Sequence, residues 1–127
     1  MNNFVAWLDS KEAFIFSLKT SGTEKSHLKK DSVDHHHDQK KESQDNSKNA
    51  DLYYQALAIR LKESDRLLLL GPGLAKTHFK SYLEAHHGDG LAKKIVGTET
   101  LEHVTENQIL AAAHKFFKKY DLFNDSM

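Results

Sequence analysis

The stretch RLLLLGPGLAKTHFKSY, Arg66–Tyr82, decides the fold of this chain. Its four consecutive leucines, Leu67–Leu70, run directly into Gly71-Pro72-Gly73. A short apolar run bounded by turn residues is typical of a strand that is buried on both faces in the middle of a sheet. Behind the turn, apolar residues recur at helical spacing and predict a helix from about Leu74 to His86. We expect the rest of the chain to pack around this strand, turn and helix.

The segments before this stretch predict a hairpin and a polar insert. Residues 4–8 and 13–18 are apolar runs joined by a short polar turn, which is the pattern of an antiparallel hairpin with both faces covered. Residues 20–49 are mostly charged and polar and cannot bury much apolar surface. We expect an edge strand near Glu24 to Lys30 and a mobile centre over residues 34–49.

The remaining segments predict one more strand and two more helices. A helix is expected to follow the insert, with Asn49 as its N-cap. The run Ile95–Thr98 is typical of a last strand. Thr105, followed three residues later by Gln108, is a capping-box pattern and marks the start of the final helix. The apolar face of that helix ends at Tyr120, and we expect the chain to fray beyond it.

This order of elements predicts an α/β fold of the ribonuclease H-like, three-layer type. A hairpin followed by β–α units gives a mixed sheet with helices on its faces. The sheet would have five strands, formed by the antiparallel hairpin, an edge strand and then two parallel strands, with three main helices. The whole chain, residues 1–127, is interpreted as a single domain that carries a polar flexible insert at about residues 20–49.

Composition excludes several classes of function. The chain has no cysteine, so disulfides and thiolate zinc sites are absent. The 18 basic and 18 acidic residues give a formal net charge of zero, so no global field draws the chain to nucleic acid or to a membrane. No apolar run approaches the roughly 20 residues of a membrane span, and the N-terminal sequence lacks the pattern of a signal peptide. We therefore predict a cytoplasmic protein with no membrane partner.

Gly71, Gly73 and Lys76 are the candidate RNA- or phosphate-binding residues. The two glycines leave backbone amides free at a predicted helix N-terminus, and Lys76 adds a positive charge, an arrangement that suits an anion. The alternative is a structural turn whose glycines permit tight packing. A Walker loop is excluded because the glycine before the lysine is missing.

Three consecutive histidines, His35, His36 and His37, are the candidate metal ligands. Imidazole suits transition metals, and the nine histidines of the chain make its net charge sensitive to mild acid. The alternative is a solvated linker, because consecutive residues on a mobile loop do not converge on one ion without a cost in ordering. We predict no cofactor.

Asp9 is the candidate catalytic residue. It follows the first predicted strand, where ribonuclease H-type nucleases place a metal-binding carboxylate, but such catalysis needs several converging acids. Asp65 precedes its strand and is therefore expected at the opposite end of the sheet from Glu99. The simpler interpretation of Asp9 is a turn residue. His103 belongs to a group of histidines near predicted helix ends that suit either proton transfer or capping.

The lysines of the insert have two interpretations as well. Six of them alternate with six acids over residues 24–48. A local basic patch could touch RNA phosphates. Equal numbers of opposite charges favour instead a solvated loop that screens itself.

Several motifs together resemble the middle domain of Pelota and of archaeal and eukaryotic class 1 release factors. The strand-G-P-G-x-x-K-x-x-F pattern, with Lys76 and Phe79, carries the resemblance, as does the first hairpin. The sequence is most similar to a bacterial group of small single-domain relatives labelled translational machinery proteins. The segments that resemble this group are Trp7-Leu8-Asp9, Gly71–Lys76, Lys94–Thr100 and His103-Val104-Thr105.

The resemblance implies a translation-related module that associates with the ribosome or RNA. Release factors of this family carry a Gly-Gly-Gln tip that triggers peptidyl-tRNA hydrolysis, and this chain contains no such triplet. The release reaction is therefore not carried over. Two alternatives from other classes stay open: a metal-dependent nucleic-acid hydrolase acting through Asp9, and a metal or pH sensor acting through His35, His36 and His37. A homodimer is compatible with the sequence.

Overall fold

The computed structural model describes residues 2–19, 21–34, 46–86 and 90–125. The strands are β1 (Asn3–Leu8), β2 (Glu12–Lys19), β3 (Gly22–Lys29), β4 (Arg66–Gly71) and β5 (Ile95–Thr100). The helices are α1 (Lys30–Asp34), α2 (Asn46–Leu61), α3 (Ala75–His86) and α4 (Glu106–Asp125), and a short 3-10 helix covers Leu91–Lys94. No helix in these ranges is long and apolar enough to cross a membrane.

The strands form one mixed sheet in the order β3-β2-β1-β4-β5. β1 pairs antiparallel with β2, and β2 pairs antiparallel with β3. β1 also pairs parallel with β4, which pairs parallel with β5. The predicted mixed five-stranded α/β sheet is confirmed, and the predicted polar edge strand is β3.

Two apolar clusters hold helices against the two faces of the sheet. Helices α2 and α3 cover one face, and their buried residues include Tyr53, Leu57 and Phe79. Helix α4 covers part of the other face through Ile109, Ala113 and Phe117. Helices therefore lie on both sides of the sheet, as a three-layer arrangement requires.

The central strand β4 divides its leucines between these two clusters. Leu67 and Leu69 pack towards α2 and α3, whereas Leu68 and Leu70 pack towards α4. All four side chains are at most 1% exposed. The predicted strand buried on both faces is thus confirmed, since side chains alternate across a pleated strand.

Two predicted helix limits were wrong. Asn49 lies inside α2, which begins three positions earlier at Asn46 and lies beside α1. Helix α4 continues past Tyr120 to Asp125. The added turn of α4 is stabilised by a residue outside the helix, because Arg66 Nη1 on β4 donates a hydrogen bond to Asp121 Oδ1 at 2.6 Å. A capping signal on α4 itself could not have indicated this contact.

The start of α4 and part of the insert agree with expectation. The amide of Gln108 donates to Thr105 Oγ1 at 3.1 Å, and the amide of Thr105 donates to Gln108 Oε1 at 2.9 Å. This is the reciprocal capping box. Within the predicted insert, β3 is the expected edge strand, whereas α1 was not predicted, and residues 34 and 46–49 of the predicted mobile centre are helical. The rest of the predicted mobile centre, residues 35–45, lies outside the described residues.

Candidate functional site

The carboxyl ends of β1 and β4 frame an open cleft of about 580 Å³. β1 and β4 are parallel neighbours in the middle of the sheet. After β1 the chain continues to β2 on one side of this pair, and after β4 it continues to β5 on the opposite side of the pair. Open α/β sheets form their ligand crevices at such a switch point. The cleft is lined by the β1–β2 turn with Asp9, Ser10, Lys11 and Glu12, by Pro72–Ala75, and by His103.

Asp9 folds the β1–β2 turn around its own carboxylate. The amides of Lys11 and Glu12 donate to Asp9 Oδ1 at 2.8 and 2.9 Å. The Tyr53 hydroxyl donates to the carbonyl oxygen of Asp9 at 3.0 Å. This is an Asx turn, anchored from α2. The interpretation of Asp9 as a turn residue is thus confirmed.

The second oxygen of Asp9 meets His103. Asp9 Oδ2 lies 2.9 Å from His103 Nε2, although the two residues are 94 positions apart. The His103 ring also packs against the Trp7 ring in an edge-to-face arrangement, with 4.9 Å between centroids. Trp7 Nε1 donates to the carbonyl of Leu101 at 2.9 Å. Trp7 and Asp9 therefore together hold the β5–α4 loop over the end of the sheet.

The electrostatics of this pair favour an ionised Asp9. Burial alone raises the pKa of the Asp9 carboxyl, but the hydrogen bonds from His103 and from the amides of Lys11 and Glu12 outweigh burial, and the net pKa is lowered. A carboxylate only accepts hydrogen bonds, so His103 Nε2 carries the proton that points to it. The other ring nitrogen of a neutral His103 is then a proton acceptor, on a side chain that is 66% exposed. A carboxylate-oriented imidazole at a cleft is suited to proton transfer or to binding a polar ligand.

Sequence reasoning named both residues without pairing them. His103 was one of nine histidines, and no local pattern distinguishes it. The signal that could have found the pair is positional. Asp9 follows β1 and His103 follows β5. In a sheet of this order β1 and β5 run parallel, so their carboxyl ends lie at the same end of the sheet.

Gly71 serves close packing at this edge. A Cβ atom on Gly71 would collide with the carbonyl oxygen of Leu8. The amide of Leu101 also donates to the Gly71 carbonyl at 2.9 Å. Gly73 is different, because a Cβ there would meet nothing within 4 Å. Of the two glycines, Gly73 alone lines the cleft.

The side chain of Lys76 folds back onto the Gly71–Gly73 turn that precedes its helix. Its side chain is buried, with a residue exposure of 6%, and its Nζ donates to the Gly73 carbonyl at 2.6 Å. Lys76 is not among the residues that line the cleft. This geometry favours the structural interpretation of Gly71 and Lys76. Phosphate binding by Gly71, Gly73 and Lys76 stays a prediction.

Among the described residues, no group of acids converges around Asp9. The backbone amide of Asn2 donates to Asp65 Oδ2 at 2.7 Å, which places Asp65 at the edge where β1 begins. Glu99 pairs with Leu70 near the other end of β4. Asp65 and Glu99 thus lie at opposite ends, as predicted. Within the described ranges, no group of three or more His, Asp or Glu side chains is arranged to hold a metal ion. The described residues thus offer no two-metal nuclease site around Asp9, and a catalytic role of Asp9 stays a prediction.

The other histidines are scattered over the fold. His35, His36 and His37 lie outside the described residues, so metal binding by them stays a prediction. His27 lies on β3 with its Nε2 2.8 Å from Glu12 Oε1. His86 packs on the ring of Tyr82 at the end of α3, with 4.5 Å between ring centroids.

Comparison with known proteins finds that this chain is similar to part of a longer protein. No protein-family model matches the sequence. The chain is 34% identical over 93 residues to a protein pelota homolog from Methanococcus vannielii, an alignment that covers 72% of this chain and 25% of the relative. The chain thus spans about a quarter of the length of that curated relative.

Solved structures give the same result for the fold. Archaeoglobus fulgidus Pelota superposes with a TM-score of 0.63 and 17% identity, over 98% of this chain and 36% of that one. The archaeal translation termination factor aRF1 superposes with a TM-score of 0.53 and 15% identity, over 98% of this chain and 41% of that one. The chain therefore resembles a Pelota-like domain in sequence and in fold. These relatives are archaeal, and the predicted bacterial grouping stays a prediction.

Proposed function

We propose that this chain is a translation-related module that associates with the ribosome or with RNA and does not catalyse peptide release. The proposal rests on the agreement between two comparisons. The fold superposes over 98% of the chain on part of Pelota, and the sequence independently aligns with a pelota homolog at 34% identity. In this proposal the module acts in the cytoplasm and belongs to the bacterial group that it resembles.

The site at the switch point is the part of the module that would contact its target. His103 is exposed and oriented by Asp9, and Gly73 and Lys11 line the same cleft. The cleft offers hydrogen bonding and the positive charge of Lys11 beside the carboxylates of Asp9 and Glu12, and among the described residues these acids form no metal-binding group. It supports binding rather than hydrolysis, and the missing Gly-Gly-Gln triplet supports a role without peptide release.

Sedimentation with ribosomes tests the proposal. Tagged protein is expected to enter the ribosomal fractions of a sucrose gradient at moderate salt and without crosslinking. The His103→Ala variant, which removes the exposed imidazole, is expected to shift towards the top of the gradient. Ser81→Ala, at an exposed position on α3, is the matched control. Protein that stays wholly at the top of the gradient in every growth phase and under stress would refute ribosome association.

Peptide release is tested separately. Ribosomal complexes that carry a labelled peptidyl-tRNA are incubated with the purified chain, with an authentic release factor as the positive control. Hydrolysis is expected to stay at the level seen with buffer alone. Release above that level would show that the proposal is wrong on this point, whatever the result of sedimentation.

A further inference from the structure

Helix α4 covers only part of its face of the sheet. In the buried cluster beneath this helix, β1 and β4 contribute two residues each, whereas β2 contributes Phe16. Next to Phe16, the side chains of Phe14 and Leu18 are half-buried. On β3, residues 23–25 and the residues Lys29 and His27 are exposed. In the described parts of the chain, no element covers this outer half of the face.

Strand register decides which side chains share this open area. Phe14 is paired with His27, and Phe16 is paired with Lys25. Directly opposed residues of an antiparallel pair lie on the same face of the sheet. Since Phe16 faces α4, Lys25, His27 and Lys29 also lie on that face, at alternate positions of the edge strand. The four residues Phe14, Lys25, His27 and Lys29 are called the β3 surface below.

Aromatic rings form a row that ends on the β3 surface. Trp7 is buried, and its ring lies 6.1 Å from that of Phe14. The His27 ring stacks on Phe14 with 4.3 Å between centroids and 2° between planes. His103 meets Trp7 at the other end of the row. The row therefore runs across three strands, from the candidate site to the free edge of the sheet.

The last ring of the row is fixed in position. Glu12 Oε1 lies 2.8 Å from His27 Nε2, so the imidazole is held both by a hydrogen bond and by stacking. The His27 side chain is 34% exposed. A planar group is thus presented at the sheet edge with little rotational freedom left to lose on binding.

Positive charge flanks this ring on both sides. Lys25 and Lys29 are two positions before and after His27 on the same face. Lys25 Nζ lies 3.0 Å from Glu106 Oε1, but both side chains of this pair are 44 to 50% exposed. An exposed pair contributes little, so the ammonium of Lys25 can exchange Glu106 for a phosphate. Lysines on an edge strand also discourage pairing with a second chain, but that role does not require a stacked ring between them.

We propose that the β3 surface binds single-stranded RNA, with a base stacking on His27 and phosphates contacting Lys25 and Lys29. Bases stack on His and Phe rings in RNA-binding sheets, and lysines neutralise the backbone. This inference rests on the proposed function for its choice of RNA, and it adds a place and a mode of contact that the switch-point cleft does not supply. The binding is sequence-tolerant, because every base has a face that can stack.

The test is fluorescence anisotropy of the full chain with a labelled oligouridine of about ten nucleotides, which matches the site sizes of stacking surfaces. His27→Ala is expected to weaken binding about tenfold, since the stacking of one base on a ring contributes between about fivefold and about 150-fold in affinity. His27→Phe keeps a ring and is expected to bind within about threefold of the wild type. Thermal unfolding by circular dichroism confirms that each variant is folded.

The lysines are tested together. Lys25→Gln with Lys29→Gln is expected to weaken binding about tenfold at low salt and to reduce the slope of log affinity against log salt by about 1.4, for two phosphate contacts on a single strand. The control, Lys62→Gln with Lys93→Gln, removes the same charge from exposed positions outside the β3 surface, and it is expected to leave binding within about twofold.

Three results with these variants would overturn the proposal for the β3 surface. The first is wild-type affinity in both His27→Ala and the Lys25/Lys29 variant. The second is an equal loss in the control variant, which would indicate a general charge effect. The third is a dimer in light scattering that becomes monomeric in His27→Ala, which would assign the surface to a second copy of this chain. If the chain sediments with ribosomes but does not bind oligouridine, RNA binding by the β3 surface is refuted and ribosome association is not. If the chain binds oligouridine but does not sediment with ribosomes, ribosome association is refuted and RNA binding by the β3 surface is not.

Discussion

The central strand β4 and the edge strand β3 belong to the same sheet but are built from opposite kinds of residue. β4 reads RLLLLG, and its four leucines are buried between helices on both sides. β3 reads GTEKSHLK, and Leu28 alone of its eight residues is buried. Apolar burial stabilises β4, whereas β3 is held by its backbone ladder with β2 and by a few side-chain contacts.

This difference separates stability from recognition. Leucines buried on both faces are out of contact with any partner. The polar residues of β3 contribute little to the core, but they lie in a fixed register beside Phe14 and Glu12, so they present charges and a ring at defined spacing. We expect substitutions in β4 to change the free energy of unfolding and substitutions on β3 to change binding.

The largest effect is expected from Leu69→Ala. Leu69 is fully buried in the cluster under α2 and α3, and truncation of a buried leucine leaves a cavity that costs about 3 kcal/mol. Thr23→Ala, at an exposed position on β3, is the matched control and should change stability by less than about 0.5 kcal/mol. Urea unfolding followed by circular dichroism measures both. Equal losses in the two variants would contradict the proposed division between β4 and β3.

Gly71→Ala is expected to have the next largest effect on the free energy of unfolding. The added Cβ would collide with the Leu8 carbonyl, so the ends of β1 and β4 must separate at a cost of about 2 kcal/mol. Gly73→Ala is the control, because a Cβ at Gly73 meets open space. It should be neutral within about 0.5 kcal/mol. Similar unfolding midpoints for the two variants would show that close approach at Gly71 is not what requires glycine.

Asp9→Asn tests the turn between β1 and β2, the two strands that lie between β4 and β3 in the sheet. Because the pKa of Asp9 is lowered in the folded chain, the ionised carboxylate adds stability above its unfolded pKa, and this stability is lost as pH falls through the folded pKa. The variant should be less stable by about 1 kcal/mol at neutral pH. The gap between wild type and variant should begin to close below about pH 4, where an unfolded Asp takes up its proton.

Denaturant unfolding of both proteins at a series of pH values measures that gap. Groups other than Asp9 titrate in both proteins, so their contributions cancel in the difference. A gap that stays constant down to the lowest pH would mean that the charge of Asp9 does not contribute to stability. His103→Ala should reproduce only part of the effect, since the amides of Lys11 and Glu12 still bind Asp9.

An effect of the same size as that of Asp9→Asn, but with the opposite sign, is expected from Ser17→Ala. Ser17 lies on β2 and is paired with Phe4 on β1 and with Glu24 on β3. Its hydroxyl is buried and has no hydrogen-bond partner among the described residues. Removing an unsatisfied buried hydroxyl should stabilise the fold by about 1 kcal/mol. Ser26→Ala is the contrast, because the Ser26 hydroxyl accepts a hydrogen bond from Arg60 and its loss should not stabilise. A lower melting temperature for Ser17→Ala would indicate that the hydroxyl is satisfied in solution.

Local patterns in the sequence were enough for most of the fold. The leucines of β4, the turn behind them and the capping box of Thr105 and Gln108 are each encoded within a few residues, so periodicity and turn chemistry identify them. The polar edge strand followed from topology, because a hairpin followed by β–α units leaves a place for one more strand. The start of α2 at Asn46 and the extension of α4 to Asp125 were missed, since no apolar period marks either one.

The contacts of the site could not be predicted in the same way. The sequence by itself determined which strand is central, where the chain turns and which residues can carry charge. Only the tertiary structure decided that Asp9 meets His103, that Lys76 turns back to Gly73, and that His27 completes a row of rings begun by Trp7. The physical reason is distance along the chain. A helix or strand is selected by neighbours a few positions away, whereas a pair 94 positions apart is brought together by strand order and register, which depend on the packing of the whole sheet.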